Sequence, residues 1–152
     1  MFIMTKSGAT AQAAKVAERL IRPGGILVTL QNGIGNHAVL AKHFPSHAVV
    51  AGVTTEGARM ERAGLVSHTG HGDTLIAGSG NEEAASVVTT LLSLAGFQCT
   101  QINEQRAMDS VVWGKLLINC AINPITAIMN VPNGSLLHSQ EARDMMSGTS
   151  LC

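Results

Sequence analysis

The chain has 152 residues, and its ten basic and ten acidic side chains give no formal net charge. This balance excludes the strongly basic surface typical of nucleic-acid binding. A hydrophobic content of 45% with 13% charged residues excludes an intrinsically disordered chain. Sixteen glycines at this low charge are typical of an α/β protein with a buried parallel sheet and tight turns.

The first hundred residues alternate between helical and strand patterns. The predicted elements, in chain order, are a helix over 9–22, a strand over 26–30, a glycine loop over 31–35, a short helix to about 43, strands over 49–54, 65–68 and 74–77, a helix over 81–95 capped by Asn81, and a strand over 98–102. The strands over 65–68 and 74–77 are predicted to form a hairpin around the glycines and histidines between them.

From about residue 104 the strand patterns stop, and one long helical pattern runs to about 129. We therefore predict an α/β domain over 1–103 and the start of an all-α domain over 104–152. The chain starts with a helix that feeds a strand, as if inside an α/β domain, and the tail over 147–152 has no helical or strand pattern. The expectation is a chain that lacks parts of both domains.

A polar stripe marks the long helix. Its clearly polar residues, Lys115, Asn119, Asn123 and Thr126, fall within an arc of about 80° at 100° per residue. The other residues are apolar on every side, which predicts a buried helix. Buried polar groups need partners, and a polar ligand cavity or a neighbouring backbone would provide them. In such a cavity Lys115 could donate a proton, and Pro124 predicts a kink.

Two polar segments near the amino terminus have two interpretations each. Gly33-x-Gly35-x-x-Ala38 with Glu56 resembles a dinucleotide fingerprint, but Gln31 and Asn32 separate it from the strand. The alternative is a glycine turn that presents Asn32 to a ligand. Lys6 lies just before a helix, where it would face a phosphate or carboxylate, or solvent.

The segment that holds His68, His71 and Asp73 suggests a metal site or a plain turn. Since the sequence offers no obvious further ligand, we predict that no metal is bound. The apolar stretch over 111–129 is interrupted by Lys115, Asn119, Asn123 and Pro124, so no membrane span is predicted.

Four segments together resemble the ketopantoate reductases (2-dehydropantoate 2-reductases). These are LQNGIGN (30–36), GVTTEGA (52–58), HTGHGDTLIAG (68–78) and VVWGKLLINCAINPITAIMNVPNG (111–134). The resemblance covers about residues 3–146. It implies the second half of a Rossmann-type NADP-binding domain, followed by the opening helices of a helical domain.

The resemblance also implies a reaction and a set of site residues. The reaction is the NADPH-dependent reduction of 2-dehydropantoate to (R)-pantoate, on the way to pantothenate and coenzyme A. Lys115 matches the proton donor, and Asn119, Asn123 and Asn133 match substrate-binding asparagines. Lys6, Asn32 and Ala58 match positions that line the cofactor. A cytoplasmic location and a 2-keto acid partner follow, and a homodimer is compatible with the family.

The sequence departs from the family in length. Family members have about 300 residues, and their pyrophosphate-binding glycine motif has no counterpart here. Two alternatives therefore stay open: a truncated, non-catalytic relative, and a reductase of a related 2-keto acid. A metal-binding module based on His68, His71 and Asp73 is a third.

Overall fold

The computed structural model describes residues 1–78 and 80–149 and divides the chain into two compact units, Met1–Asp109 and Ser110–Cys152. The strands are β1 (Phe2–Ile3), β2 (Ile26–Thr29), β3 (Ala48–Thr54), β4 (Gly57–Arg62), β5 (Leu65–Gly70), β6 (Asp73–Ala77) and β7 (Gln98–Ile102). The helices are α1 (Thr10–Ala17), α2 (Asn36–His43), α3 (Glu82–Leu94), α4 (Gln105–Met129) and α5 (Gln140–Thr149), with 3₁₀ helices over Ser7–Ala9 and Asn133–His138.

A five-stranded sheet in the order β1-β2-β3-β6-β7 forms the centre of the first unit. Every neighbouring pair is parallel except β3 and β6. The prediction of an α/β sheet is confirmed, although the sheet is mixed rather than purely parallel. The carboxyl ends of β1, β2 and β3 meet at one edge of the sheet, and the amino end of β6 lies at that edge too.

Apolar side chains alternate between the two faces of this sheet. Leu27 and Val49 belong to a buried cluster with residues of α1 and α2, whereas Val28 and Val50 belong to a second cluster with residues of α3. This period of two is what a strand buried on both faces requires. The first unit therefore has helices on both sides of its sheet.

The predicted hairpin is wrong. The strand over 65–70 pairs with Gly57–Arg62, and the strand over 73–77 lies between β3 and β7 in the main sheet. Strand β4 was not predicted from the sequence. The hairpin of β4 and β5 is almost wholly exposed, so β4 contains charged residues, Arg59, Glu61 and Arg62, instead of a recognisable strand pattern.

Several element boundaries also differ from those predicted. A short strand, β1, precedes the first helix. Helix α1 ends at Ala17 rather than near 22, because the amides of Arg19 and Leu20 bond to the third residue before them and close the helix with tighter turns. Asn81 does precede α3, but its side chain makes no capping hydrogen bond.

The second unit is helical, as the pattern predicts, but its core is small. Ile125, Leu136 and Ala142 are its buried cluster. The prediction of a fully buried α4 is wrong, since Trp113 is 54% exposed and Ile128 is 82% exposed. The tail prediction is also wrong over 147–149, which continue α5, while Ser150, Leu151 and Cys152 lie outside the described residues.

One helix of the described residues, α4, is long enough and apolar enough to cross a membrane, judged by length and composition. Core helices of water-soluble proteins also pass this test, and Lys115, Asn119 and Asn123 lie inside the segment. The absence of a membrane span stays a prediction.

Candidate functional site

A cavity of about 340 Å³ lies at the carboxyl ends of β1 and β2. Its lining residues come from the two loops that follow these strands: Met4, Thr5, Lys6, Ser7, Leu30, Gln31 and Asn32. The fold thus brings Lys6 and Asn32 to one cavity, although 25 residues separate them in the chain. In parallel α/β sheets, ligands bind outside the carboxyl ends of the strands, which is where this cavity lies.

A hydrogen-bond network lies beneath the cavity and connects its two loops. The side-chain nitrogen of Gln31, Nε2, donates to the Thr5 carbonyl at 2.6 Å and to the Thr10 hydroxyl at 3.0 Å. The Thr10 hydroxyl donates to Asn36 Oδ1 at 2.9 Å, and Asn36 Nδ2 donates to the Asn32 carbonyl at 3.2 Å. Thr10 and Asn36 are buried, so the network holds the Asn32 backbone against the fold.

Sequence reasoning missed Thr10, Gln31 and Asn36. The available signal was a set of polar residues directly after β2 and at the start of two helices, where the backbone and side chains need partners. Only the tertiary pairing of the loops shows that these residues serve each other.

The glycine loop between β2 and α2 has the open backbone that a ligand needs. Gly33 and Gly35 have φ values of +89° and +91°, a conformation that side-chain-bearing residues rarely adopt. A Cβ at Gly35 would meet no atom within 4 Å. Ser7 Oγ donates to the Asn32 carbonyl at 2.9 Å and ties the neighbouring loop to this one.

Ala58 is not among the residues that line the cavity. It is an exposed residue of β4, paired with His68 of β5. The sequence analysis grouped it with Lys6 and Asn32 by resemblance, and the cavity contains only the latter two. A cofactor role for Ala58 stays a prediction.

A second cluster, Glu56 with His68 and His71, lies where β3 ends and β6 begins. The distance from His68 Nε2 to Glu56 Oε2 is 2.5 Å, and the two imidazole rings lie edge to face with centroids 4.3 Å apart. The hydrogen bond from His68 lowers the pKa of Glu56 from its ordinary value. The sequence interpretation grouped Asp73 with the two histidines, but the third member of the cluster is Glu56.

The polar stripe of α4 lies in the second unit. Lys115 and Asn119 are half-buried, one turn apart, and Asn123 follows after another turn at an exposed position. Burial lowers the pKa of the Lys115 ammonium, because a desolvated amine loses part of the hydration that stabilises its charge. A lowered pKa makes this ammonium a stronger acid than an ordinary lysine, which suits a proton donor.

Thr126 has a different role within the stripe. Its hydroxyl lies 3.1 Å from the Ile122 carbonyl and 3.0 Å from the Asn123 carbonyl, so it bonds to the backbone of its own helix. This contact lies beside Pro124, which has no amide to donate. Asn133, the remaining predicted substrate residue, begins the 3₁₀ helix after α4 and is exposed.

A further cavity, of about 380 Å³, lies before β2 and β3, at the opposite edge of the sheet. It is lined in part by Glu18, His43 and His47, with His43 Nε2 2.9 Å from Glu18 Oε1. The sequence analysis assigned no role to these residues.

Comparison with known proteins assigns the family. Residues 1–81 match the family described as ketopantoate reductase PanE/ApbA, and residues 107–150 match its C-terminal part. The chain belongs to the ketopantoate reductase family. The resemblance inferred from the four sequence segments is thereby confirmed.

One similar ketopantoate reductase is the 2-dehydropantoate 2-reductase of Halobacterium salinarum. It is 41% identical over 139 residues, which cover 89% of this chain and 44% of the relative. The 2-dehydropantoate 2-reductase of Archaeoglobus fulgidus is 34% identical over 140 residues, which cover 91% of this chain and 45% of the relative. The chain therefore spans about half the length of the curated relatives it matches.

Solved structures show the same fold. The 2-dehydropantoate 2-reductase of Geobacter metallireducens superposes with a TM-score of 0.84 at 23% identity, over 99% of this chain and 50% of that one. A D-mandelate dehydrogenase structure with NADH and anilino(oxo)acetate superposes with a TM-score of 0.83 at 24% identity, over 95% of this chain and 47% of that one. The expected Rossmann-type α/β fold followed by helices is confirmed.

Proposed function

We propose that this chain carries the proton-donating and substrate-binding helix of an NADPH-dependent 2-dehydropantoate 2-reductase. The observation that carries the proposal is the arrangement of α4, where a half-buried Lys115 with a lowered pKa is followed at one-turn intervals by Asn119 and Asn123. The 41% identity to a curated 2-dehydropantoate 2-reductase supports this substrate.

The cavity of the first unit fits parts of a nicotinamide dinucleotide. It is lined by Lys6 and Asn32, whose ammonium and amide are donor types that bind phosphate and ribose oxygens. Gly33 and Gly35 leave the adjoining backbone accessible. Lys6 and Asn32 are therefore proposed to hold the cofactor, with Ala58 beside it. When bound, NADPH supplies a hydride to the ketone carbon of the substrate.

The chain's own residues would supply the proton. As the ketone is reduced, its oxygen gains negative charge, and the Lys115 ammonium gives that oxygen a proton through its Nζ–H bond. The amides of Asn119, Asn123 and Asn133 would orient the substrate by hydrogen bonds to its hydroxyl and carboxylate oxygens. The products are the 2-hydroxy acid, the oxidised cofactor and a neutral lysine, which takes up a proton from solvent.

Titration of the 152-residue chain with NADPH, followed by nucleotide fluorescence, tests the cofactor part of the proposal. We expect binding that Lys6→Ala and Asn32→Ala each weaken and that Lys42→Ala, which changes an exposed lysine near the end of α2, leaves unchanged. Absorbance at the NADPH band with added 2-dehydropantoate then measures turnover. A folded chain that binds neither ligand would favour the non-catalytic alternative.

A related 2-keto acid is the second candidate substrate. The same fold occurs in a D-mandelate dehydrogenase solved with an oxoacetate ligand, so the fold by itself does not choose among 2-oxo acids. Comparison of kcat/KM for 2-dehydropantoate and for aryl 2-oxo acids separates the two. The proposed setting is the cytoplasm, and the proposed partner is the small-molecule substrate, with a homodimer as the assembly to test.

A further inference from the structure

The cluster of Glu56, His68 and His71 has the composition of a metal site. One potential ligand atom from each side chain lies within 4.8 Å of the other two. Two imidazoles and one carboxylate form a donor set that suits zinc and neighbouring transition metals. We infer that these three residues bind a divalent transition-metal ion of the zinc type, which departs from the sequence prediction of no metal.

The cluster is formed by tertiary contact. Glu56 follows β3, His68 lies in β5 and His71 lies in the loop before β6. The sequence interpretation found only the histidines and Asp73, which are close in the chain. The carboxylate that faces the histidines comes from a residue 12 positions before His68, and it reaches them because β4 and β5 fold back on each other.

The backbone around the cluster is held in place by a set of short contacts at Thr55. The Asp73 amide donates to Thr55 Oγ1 at 2.9 Å, and the Thr55 amide donates to the Asp73 carbonyl at 2.9 Å. A Cβ at Gly72 would lie 2.3 Å from Thr55 Oγ1, so this loop approaches Thr55, the residue after β3, more closely than a larger residue would allow. The Glu56 amide donates to Thr54 Oγ1 at 3.2 Å. The chain segments that carry Glu56 and His71 are thus fixed relative to each other.

The side chains can reach metal-binding distances by small rotations. Ligands at about 2.1 Å from a zinc ion lie about 3.4 Å apart in a tetrahedron. The three candidate ligand atoms lie within 4.8 Å of one another, and His68 Nε2 lies 2.5 Å from Glu56 Oε2, so their separations need to change by about 1.4 Å or less. His68 and His71 are exposed and Glu56 is partly buried, which leaves water access to complete the coordination. Without an ion, Glu56 and His68 satisfy each other through their hydrogen bond.

This inference is independent of the proposed reductase function. Neither Glu56, His68 nor His71 lines the cavity that holds Lys6 and Asn32, and none is assigned a role in hydride or proton transfer. Failure of either proposal leaves the other standing, because metal binding is measured without NADPH or substrate.

Equilibrium dialysis of Zn²⁺ against the 152-residue chain tests the site. The chain carries Cys99→Ser, Cys120→Ser and Cys152→Ser, so that thiolates do not contribute. We expect one Zn²⁺ per chain, with affinity lowered at least about tenfold by His68→Ala and by His71→Ala, since even the loss of outer-shell partners costs this much. Glu56→Gln should also weaken binding. The matched control is His138→Ala, an exposed histidine in the second unit.

A second measurement needs no substituted histidine. Paramagnetic Ni²⁺ added to the chain should broaden the imidazole resonances of His68 and His71 at ion concentrations that leave His138 sharp. Equal broadening of all histidines, or Zn²⁺ affinities of His68→Ala and His71→Ala that match His138→Ala, would overturn the proposal. The cluster would then be an ion pair that positions the hairpin.

Discussion

The two compact units support their candidate functional residues in different ways. In the first, Lys6 and Asn32 lie on loops connected by Gln31, Thr10 and Asn36, above buried clusters on both faces of the sheet. In the second, the stripe that includes Lys115 lies on a helix whose unit, over residues 110–149, has a buried cluster of three residues. Loop positions in the first unit are set by tertiary packing, whereas the order of polar groups along α4 is set by helical geometry alone.

The largest expected effect concerns the helix. Lys115→Ala should lower kcat for NADPH-dependent reduction of 2-dehydropantoate by about 10²–10⁴, because it removes the proton donor. Lys42→Ala, a lysine of α2, is the control and should retain the wild-type rate. Wild-type turnover by Lys115→Ala would remove the catalytic role of the stripe and leave the first unit as the part that carries a ligand.

Core truncations should show how unequal the two units are. Leu27→Ala, at a fully buried position within the sheet, should lower the free energy of unfolding of the first unit by about 3–5 kcal/mol. Leu136→Ala should cost about 2–3 kcal/mol, because a small cluster can collapse around the missing atoms. Hydrogen exchange measured residue by residue separates the two effects. Leu20→Ala and Leu137→Ala, each at a 65% exposed position, are the controls. Equal losses of unfolding free energy in both units would contradict the inference that the second unit has the smaller core.

The polar network of the first unit should matter for stability as well as for geometry. Thr10→Val keeps the side-chain volume but removes the hydroxyl between Gln31 and Asn36, so the buried Asn36 Oδ1 loses this donor while Gln31 keeps its bond to the Thr5 carbonyl. The expected loss is about 1–3 kcal/mol of unfolding free energy, measured by urea denaturation. Thr90→Val, at an exposed position of α3, should change stability by less than about 0.5 kcal/mol. An unchanged free energy of unfolding in Thr10→Val would mean that the loops are held by other contacts.

Substrate binding should depend on the stripe one turn beyond the lysine. Asn119→Ala should raise KM for 2-dehydropantoate about tenfold, the cost of about one hydrogen bond, with kcat changed much less. Steady-state kinetics at saturating NADPH gives both constants. An unchanged KM would place the substrate elsewhere.

The smallest expected effect is the lowered pKa of the Lys115 side chain. Burial disfavours the charged ammonium, so side-chain NMR should show a pKa of Lys115 below the ordinary value of a lysine. Because the charged form is the proton donor, the reduction rate should fall as pH rises through this lowered pKa. An ordinary titration of Lys115 would show that its half-buried position does not tune its proton affinity.

Helical and strand periodicity in the sequence predicts much of the fold. Helix α4 and strand β7 were predicted within a residue or two, because α4 has a long uninterrupted helical pattern and β7 a compact strand pattern bounded by turns. The exposed strand β4 was missed, since a strand without a buried face has no apolar alternation to reveal it. The burial of α4 was overestimated, because an apolar composition does not say which surfaces are covered.

The sequence by itself determined the family, most of the helices and strands, and the spacing of Lys115, Asn119 and Asn123. These depend on local pattern and on helical geometry, which a single segment contains. Only the tertiary structure decided that Lys6 meets Asn32 in one cavity and that Glu56, rather than Asp73, joins His68 and His71. Those pairings depend on which strands lie side by side and in which direction, and the alternation within one strand carries no information about its neighbours.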